Sequence, residues 1–464
     1  LIDMSAEAEV SDPRDAHAHT LRSVADFVLT TTPDDIPDAI LERAGLLFLD
    51  TIGICAAAAP MEAGLIGRDA AALLYGAGSR ETTARLLFDG RPVSLGGAVF
   101  ASATQIDNMD GHDGFNPVKG HIGVVAVPTL AALAEHAPSL SGRDALAALV
   151  VGYEIAGRAG ISLHASATDY HTSGAWNALG VAAMAARMRG LSAGQLREAL
   201  GIAEYHGPRS QMMREIANPT MLHDGSGWGA LAGMSAAILA ERGFTGAPAV
   251  TIEAPEAAPH WADLGAVWWT GAQYLKPYPV CRWAHAAIDA AADLCTGHDL
   301  RAEDIKQIRI RSFNNAVELF PGMPETTSQA QYSLPFAVAA WIANRRIGLA
   351  EISGDGLDDP RVARLVARTR TVPDPRHEAR FPEGRWADVS FTLTDGRTLD
   401  SGERNAHGGP SSPFTADEIT EKYLEFAAPA LGRARVEALR DAVLALARAD
   451  GPFSDVAAHL YDPL

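Results

Sequence analysis

Cysteine is almost absent from this chain: Cys55, Cys281 and Cys295 are the only three in 464 residues. They stand at unrelated spacings with no CxxC pair, which argues against a disulfide framework, a zinc ribbon and an iron–sulfur dehydratase, each of which needs converging thiolates. Positive charge is also short, with 38 Lys+Arg against 57 Asp+Glu and a net charge of −19. Such a surface repels nucleic acid and anionic membranes, so neither is expected as a partner. A small anionic substrate would therefore need a pocket whose own cations oppose the global field. No uninterrupted apolar run approaches a membrane span, and the first residues lack the basic-then-apolar pattern of a leader, so a cytoplasmic location is expected. Leu1-Ile2-Asp3, ahead of the first methionine Met4, reads as an added remnant. No GxSxG elbow and no P-loop occurs. The run Gly225-Ser226-Gly227-Trp228-Gly229 fails the dinucleotide-binding spacing and reads as close helix packing.

What is present is mainly helical. A chain of this length exceeds one compact core, so two or more domains are expected. In the first 270 or so residues, Pro37 stands where an N1 proline belongs, before Ile40, Leu41, Ala44, Leu47 and Phe48 at helical spacing. Ser192 with Gln195 forms a capping-box signature, and Asp89-Gly90 marks a short hairpin. The texture changes near Gln273. Ile305–Ser312 alternates apolar and basic side chains at strand period, and Trp386–Leu393, Asp395-Gly396 and Arg397–Asp400 read as a hairpin, with helices between. After Pro410 helical patterning returns, opened by Thr415 and Glu418. The expected fold is mainly α: one large all-helical domain, built from residues 1–272 and 410–464, with a smaller α+β domain of residues 273–409 inserted into it.

The densest polar cluster is Gln105–Gly123, which holds Asp107, Asp110, His112, Asp113, Lys119 and His121 in a glycine-punctuated loop. Burying so many titratable groups without purpose is costly, so a site is expected there. A metal site is the competing reading: Asp110 and His112 offer two ligands, but nothing fixes a third, and the aspartate order does not fit an EF-hand. His171 lies just before a helix, as an anion holder or a capping-region residue. Tyr274–His285 sets Lys276, Arg282 and His285 among prolines and aromatics.

Taken together and in this order, these segments resemble the MmgE/PrpD family, whose members include dehydratases, decarboxylases and epimerases of small polycarboxylates. Leu49-Asp50-Thr51-Ile52-Gly53 resembles an early family helix, and Asp107–Asp110 with His121 resembles its acidic and histidine loop. His171 falls where a second family histidine sits. Lys276 matches the lysine of a K-x-(Y/F)-P segment, and Gln331-Tyr332-Ser333-Leu334-Pro335-Phe336 resembles the family's Q-(F/Y)-S-L-P-Y stretch. Two departures stand out. Gly111-His112 replaces a usual Thr or Ser, and His223 is the sole basic residue where relatives often carry a lysine. The resemblance implies a helical domain with a lid-like α+β domain, an active site between them, a homodimer, and no required metal or cofactor.

The implied chemistry is removal of a proton α to a carboxylate of a small polycarboxylic acid, with dehydration of a 2-methylcitrate-like hydroxy acid expected first and epimerisation or decarboxylation as alternatives. Lys276, with Arg282 or Lys119, would hold the charge that builds on the carboxylate. One histidine, His121 or His112, would take the proton, and His171 would protonate the departing hydroxyl. Asp107 or Asp110 would orient an imidazole, while His223 and Tyr332 would contact substrate. Two other classes remain open: a metal-dependent hydrolase with Asp107, Asp110, His112 and His121 as ligands, and a non-catalytic binder of small acids.

Overall fold

The computed structural model describes residues 13–447 and 451–464; Leu1–Met4 lie outside the described residues. Its buried apolar side chains fall into two clusters. One draws on Val24–Leu275 and Phe414–Tyr461. The other draws on Val280–Ala406, joined by Met212 and Ile216 of the first segment. The fold is mainly α with a small α+β part.

Long helices fill the first cluster: Asp38–Ala58, Leu95–Met109, Gly123–Ala134, Gly142–Ser166, Gly174–Met188 and Ser226–Glu241. The Ser192–Gln195 and Thr415–Glu418 capping boxes both form, and Ser141 and Ser94 cap their helices through side-chain oxygens. Pro37 is the N-cap rather than the first helical residue, because its ψ of 136° is extended. The glycine run does serve packing: a Cβ on Gly229 would stand 2.5 Å from the Gly174 carbonyl, so helix Ser226–Glu241 lies nearly in contact with helix Gly174–Met188. Helix Gly142–Ser166 is long and apolar enough to cross a membrane, contrary to the expectation from its sequence, where Glu154 and Arg158 interrupt the apolar run. In the apolar window of that helix, 94% is buried inside the protein, so it is a core helix. The Asp89-Gly90 hairpin exists as β1 (Thr83–Arg85) against β2 (Pro92–Ser94).

The second cluster packs helices His285–Gly297 and Leu334–Asn344 against a sheet of β3 (Ile305–Ser312), β4 (Thr369–Pro373), β5 (Trp386–Leu393) and β6 (Thr398–Asp400), in the order β4-β3-β5-β6. A short β7 (Arg404–Asn405) pairs with β5. β3 and β5 are antiparallel and β3 and β4 parallel. Sequence patterning missed β4, whose half-exposed Thr-Arg-Thr-Val-Pro lacks an apolar alternation. A register shift between Ile305 and Gln307 lets both Ile305 and Ile308 face the core, while Arg309 stays outside. Helices Ala416–Leu431 and Arg433–Ala445 then return to the first cluster, with Tyr423 seated against Gly53.

Candidate active site

Helix Leu95–Met109 ends at Asp110, whose left-handed backbone (φ 51°) turns the chain into the polar loop. Lys276 arrives from the segment between the two clusters and donates to the Asp110 carbonyl at 2.9 Å and to its carboxylate. The loop is fastened at several points. Gly114 and Tyr274 exchange backbone hydrogen bonds, and the Tyr274 ring occupies the space a Gly114 side chain would need. Asp113 accepts from Tyr153 at 2.5 Å and from the Gly123 amide at 3.1 Å, closing the loop on itself. Burial pushes the Asp113 carboxyl up to about 7. Lys422 of a returning C-terminal helix reaches Asp50 at 2.5 Å and the Gly111 carbonyl at 2.7 Å.

These ties fix His121. Its amide donates to Ser173 Oγ at 3.0 Å, and its Nδ1 lies 2.5 Å from the Asp113 carbonyl. A carbonyl only accepts, so Nδ1 carries the proton in neutral imidazole and Nε2 keeps its lone pair. Nε2 faces Asp224 Oδ2 at 3.5 Å. Burial, and then Lys276, push the His121 pKa down, while Asp224 and Asp110 oppose this. Asp224 is itself held by Ser173 Oγ at 2.9 Å, and its amide donates to Glu215 at 2.7 Å. It occupies a strained turn in which His223, Asp224 and Gly225 all have positive φ, at 25°, 47° and 64°. Runs of this kind persist where surroundings overdetermine them, which is common at functional sites.

His121, Asp224, Asp110 and Lys276 line one cavity with Lys119, Tyr170, Tyr274, Arg282, Tyr332 and Arg385. Both clusters contribute walls. Room for water-sized molecules inside is only about 20 Å³, the space of roughly one water. Four cations (Lys119, Lys276, Arg282 and Arg385) face two carboxylates there, the reverse of the global charge balance. A far larger cavity of about 1230 Å³ lies along Glu62, Glu325, Asp355 and Asp358, with no basic side chain in its wall. That lining repels an anion, so we assign the chemistry to the small chamber.

Other expected residues stand around it. His112 is buried behind His121, rings 4.5 Å apart, with Nε2 3.6 Å from Asp107. Its burial and the neighbouring His121 and Lys276 hold it well below the usual imidazole range. Asp107 accepts from the Ser226 amide at 3.1 Å and is held well above the carboxylate range by burial and Asp224. Asp107 and His223 line a neighbouring pocket with Glu215 and Trp228. His171 lies outside the chamber wall: its backbone bridges to Gln211, and its ring stacks on His164 at 6.4 Å. Arg282 spends its guanidinium on the Ala406, His407 and Leu275 carbonyls. Tyr332 donates to Glu215 at 2.6 Å. His285 is buried against the Val280 carbonyl. Among the described residues, the group with metal-ligand spacing is Asp374, His377 and Asp388, away from the polar loop and already paired to Arg311 and Arg376. Sequence reading missed Asp224 and Arg385. The Asp224-Gly225 pair was a usable turn signal, whereas Arg385 was hidden at the edge of a hairpin strand.

The chamber is cation-lined, lies between a helical body and an α+β part, and holds a buried His–Asp pair. The MmgE/PrpD N-terminal domain matches residues 22–261 and the MmgE/PrpD C-terminal domain matches residues 278–448, and the chain belongs to the MmgE/PrpD family. Among its relatives is the cis-aconitate decarboxylase of Homo sapiens, 29% identical over 367 residues that cover 74% of each chain. The cis-aconitate decarboxylase of Aspergillus terreus is 23% identical over 460 residues, covering 89% of this chain and 90% of its own.

Proposed function

We propose that this enzyme is a lyase acting on a small polycarboxylate, with His121 moving the proton and Lys276 holding the charge that develops on a substrate carboxylate. The observation that carries this is His121 Nε2, freed by the Nδ1 contact to the Asp113 carbonyl and directed into the same chamber as Lys276. The net reaction we favour is decarboxylation of an unsaturated tricarboxylate of the cis-aconitate kind, the substrate in the names of the relatives. In that reaction the bond to the departing carboxylate breaks, its electron pair shifts through the double bond, and the far carbon takes a proton from the His121 imidazolium. Asp224 stabilises that imidazolium before transfer, and solvent reloads it afterwards. Lys276 stabilises the extra charge in a chamber with little room for water.

Dehydration of a 2-methylcitrate-like acid is the second reading. It is favoured by Tyr332, a chamber residue bonded to Glu215, whose carboxyl burial pushes up to about 8. That pair would supply a proton to a leaving hydroxyl while His121 serves as base. Proton NMR in deuterated water, with cis-aconitate, citrate, 2-methylcitrate and malate, separates the readings by product. Failure of every acid in this panel to react or exchange hydrogen would end the proposal.

A further inference from the structure

Of the four chamber cations only Lys276 has a carboxylate counter-ion, Asp110, and two of the other three, Arg385 and Lys119, share one aromatic ring. Arg385 is 2% exposed, yet its guanidinium meets only the Pro382 and Gly384 carbonyls, and its Nε has no hydrogen-bond partner. Lys119 Nζ sits over the Tyr170 ring at 4.1 Å and near the Phe381 ring at 6.0 Å. Arg385 lies over that same Phe381 ring at 4.8 Å. Neither cation forms an ion pair among the described residues. Lys276 is matched by Asp110, and Arg282 has both terminal nitrogens on backbone carbonyls, whereas Arg385 spends only one of its two. Burying Arg385 beside a half-buried Lys119 with no anion between them is costly unless a bound anion offsets it. Burial lowers the pKa of each, and Arg385 lowers that of Lys119 further.

We propose that Arg385 and Lys119 form a separate anion subsite that grips a substrate carboxylate not involved in bond breaking, and that it selects tricarboxylates over dicarboxylates. The inference rests on the polycarboxylate reading above and deepens it. Lys119 belongs to the polar loop of the helical part, and Arg385 leads into β5 of the α+β part. The subsite therefore exists only when both parts face each other, and the third carboxylate of a tricarboxylate bridges them where a dicarboxylate leaves the subsite empty. Arg suits this position because its fork keeps donors for a carboxylate after two are spent on carbonyls.

The test is calorimetric binding of tricarballylate, a saturated tricarboxylate, and glutarate, the same carbon chain without the central carboxylate. Wild type should prefer tricarballylate. Arg385→Gln and Lys119→Gln should each reduce that preference by about 10–100-fold, the worth of one hydrogen bond to a charged group, with glutarate affinity held. Arg385→Lys should fall between. Lys119 is half-exposed, so its variant reports even if Arg385→Gln does not fold, and melting curves identify that case. Variants that weaken both acids equally, or neither, overturn the subsite. Wild type that binds neither acid overturns the polycarboxylate reading itself, and the subsite with it.

Discussion

Lys276 Nζ donates to both the main-chain carbonyl and the side-chain carboxylate of Asp110, a residue 166 positions earlier in the chain. The two hydrogen bonds hold a fully buried ammonium at the floor of the chamber and fix its direction. Lys276→Ala should therefore lower kcat by about 10²–10³-fold, the usual effect of losing a charge-stabilising donor, and raise KM far less. Steady-state kinetics on whichever acid the NMR panel identifies makes the comparison; an effect confined to KM would reduce Lys276 to a ground-state binder.

Proton transfer is assigned to His121, with Asp224 favouring its charged form. His121→Ala should lower the rate by about 10²–10⁴-fold and stop deuterium entering product from solvent. His112→Ala should retain incorporation, since His112 sits behind the chamber wall. In Asp224→Asn the imidazolium loses its stabilising carboxylate, so the pH at which activity falls off on the alkaline side should move lower. An unchanged pH profile in Asp224→Asn would detach the pair.

Asp113 ties stability to pH. Its folded pKa of about 7 stands above the ordinary carboxyl value because of burial. A group with a raised folded pKa favours folding below its unfolded pKa, and that contribution is lost as pH rises through the folded value. Asp113→Asn keeps an oxygen acceptor for the Gly123 amide and removes the titration. Wild type should lose melting temperature on account of this group as pH rises from 3.8 to about 7, and the variant should lose less. Parallel curves for the two proteins would refute the assignment.

Cys281 lines the chamber, and burial pushes its thiol up to about 12. At pH 8 a thiol of that pKa is ionised in only about one molecule in 10⁴. Native protein should therefore react sluggishly with a disulfide reagent at this position, and tricarballylate should slow it further. Mass spectrometry of the labelled peptide gives the rate; labelling as fast as in denatured protein would show that the chamber is open.

Much of the architecture was legible because it rests on short-range rules. Ser192–Gln195 and Thr415–Glu418 announce their helices through caps, and the Ile308–Arg311 alternation announces its strand. β4 was illegible because its place is set by pairing with β3 across a long helical crossover rather than by its own pattern. The near-complete burial of helix Gly142–Ser166 was equally illegible, since it depends on what surrounds the helix.

The same division runs through the site. The sequence by itself determined the family and the titratable loop, and it singled out His121, Lys119 and Lys276, which line one cavity, because these are matters of residue type and order. Tertiary structure alone decided that His121 presents Nε2 to the chamber while His112 is stacked behind it and His171 is turned toward His164. It also decided that Asp224 and Arg385, from segments with no evident chemical signature, complete the wall. The reason is physical: protonation state and partner choice depend on distances of 2.5–3.5 Å between groups far apart in the chain. Those distances are fixed by the packing of two buried cores, which no local pattern encodes.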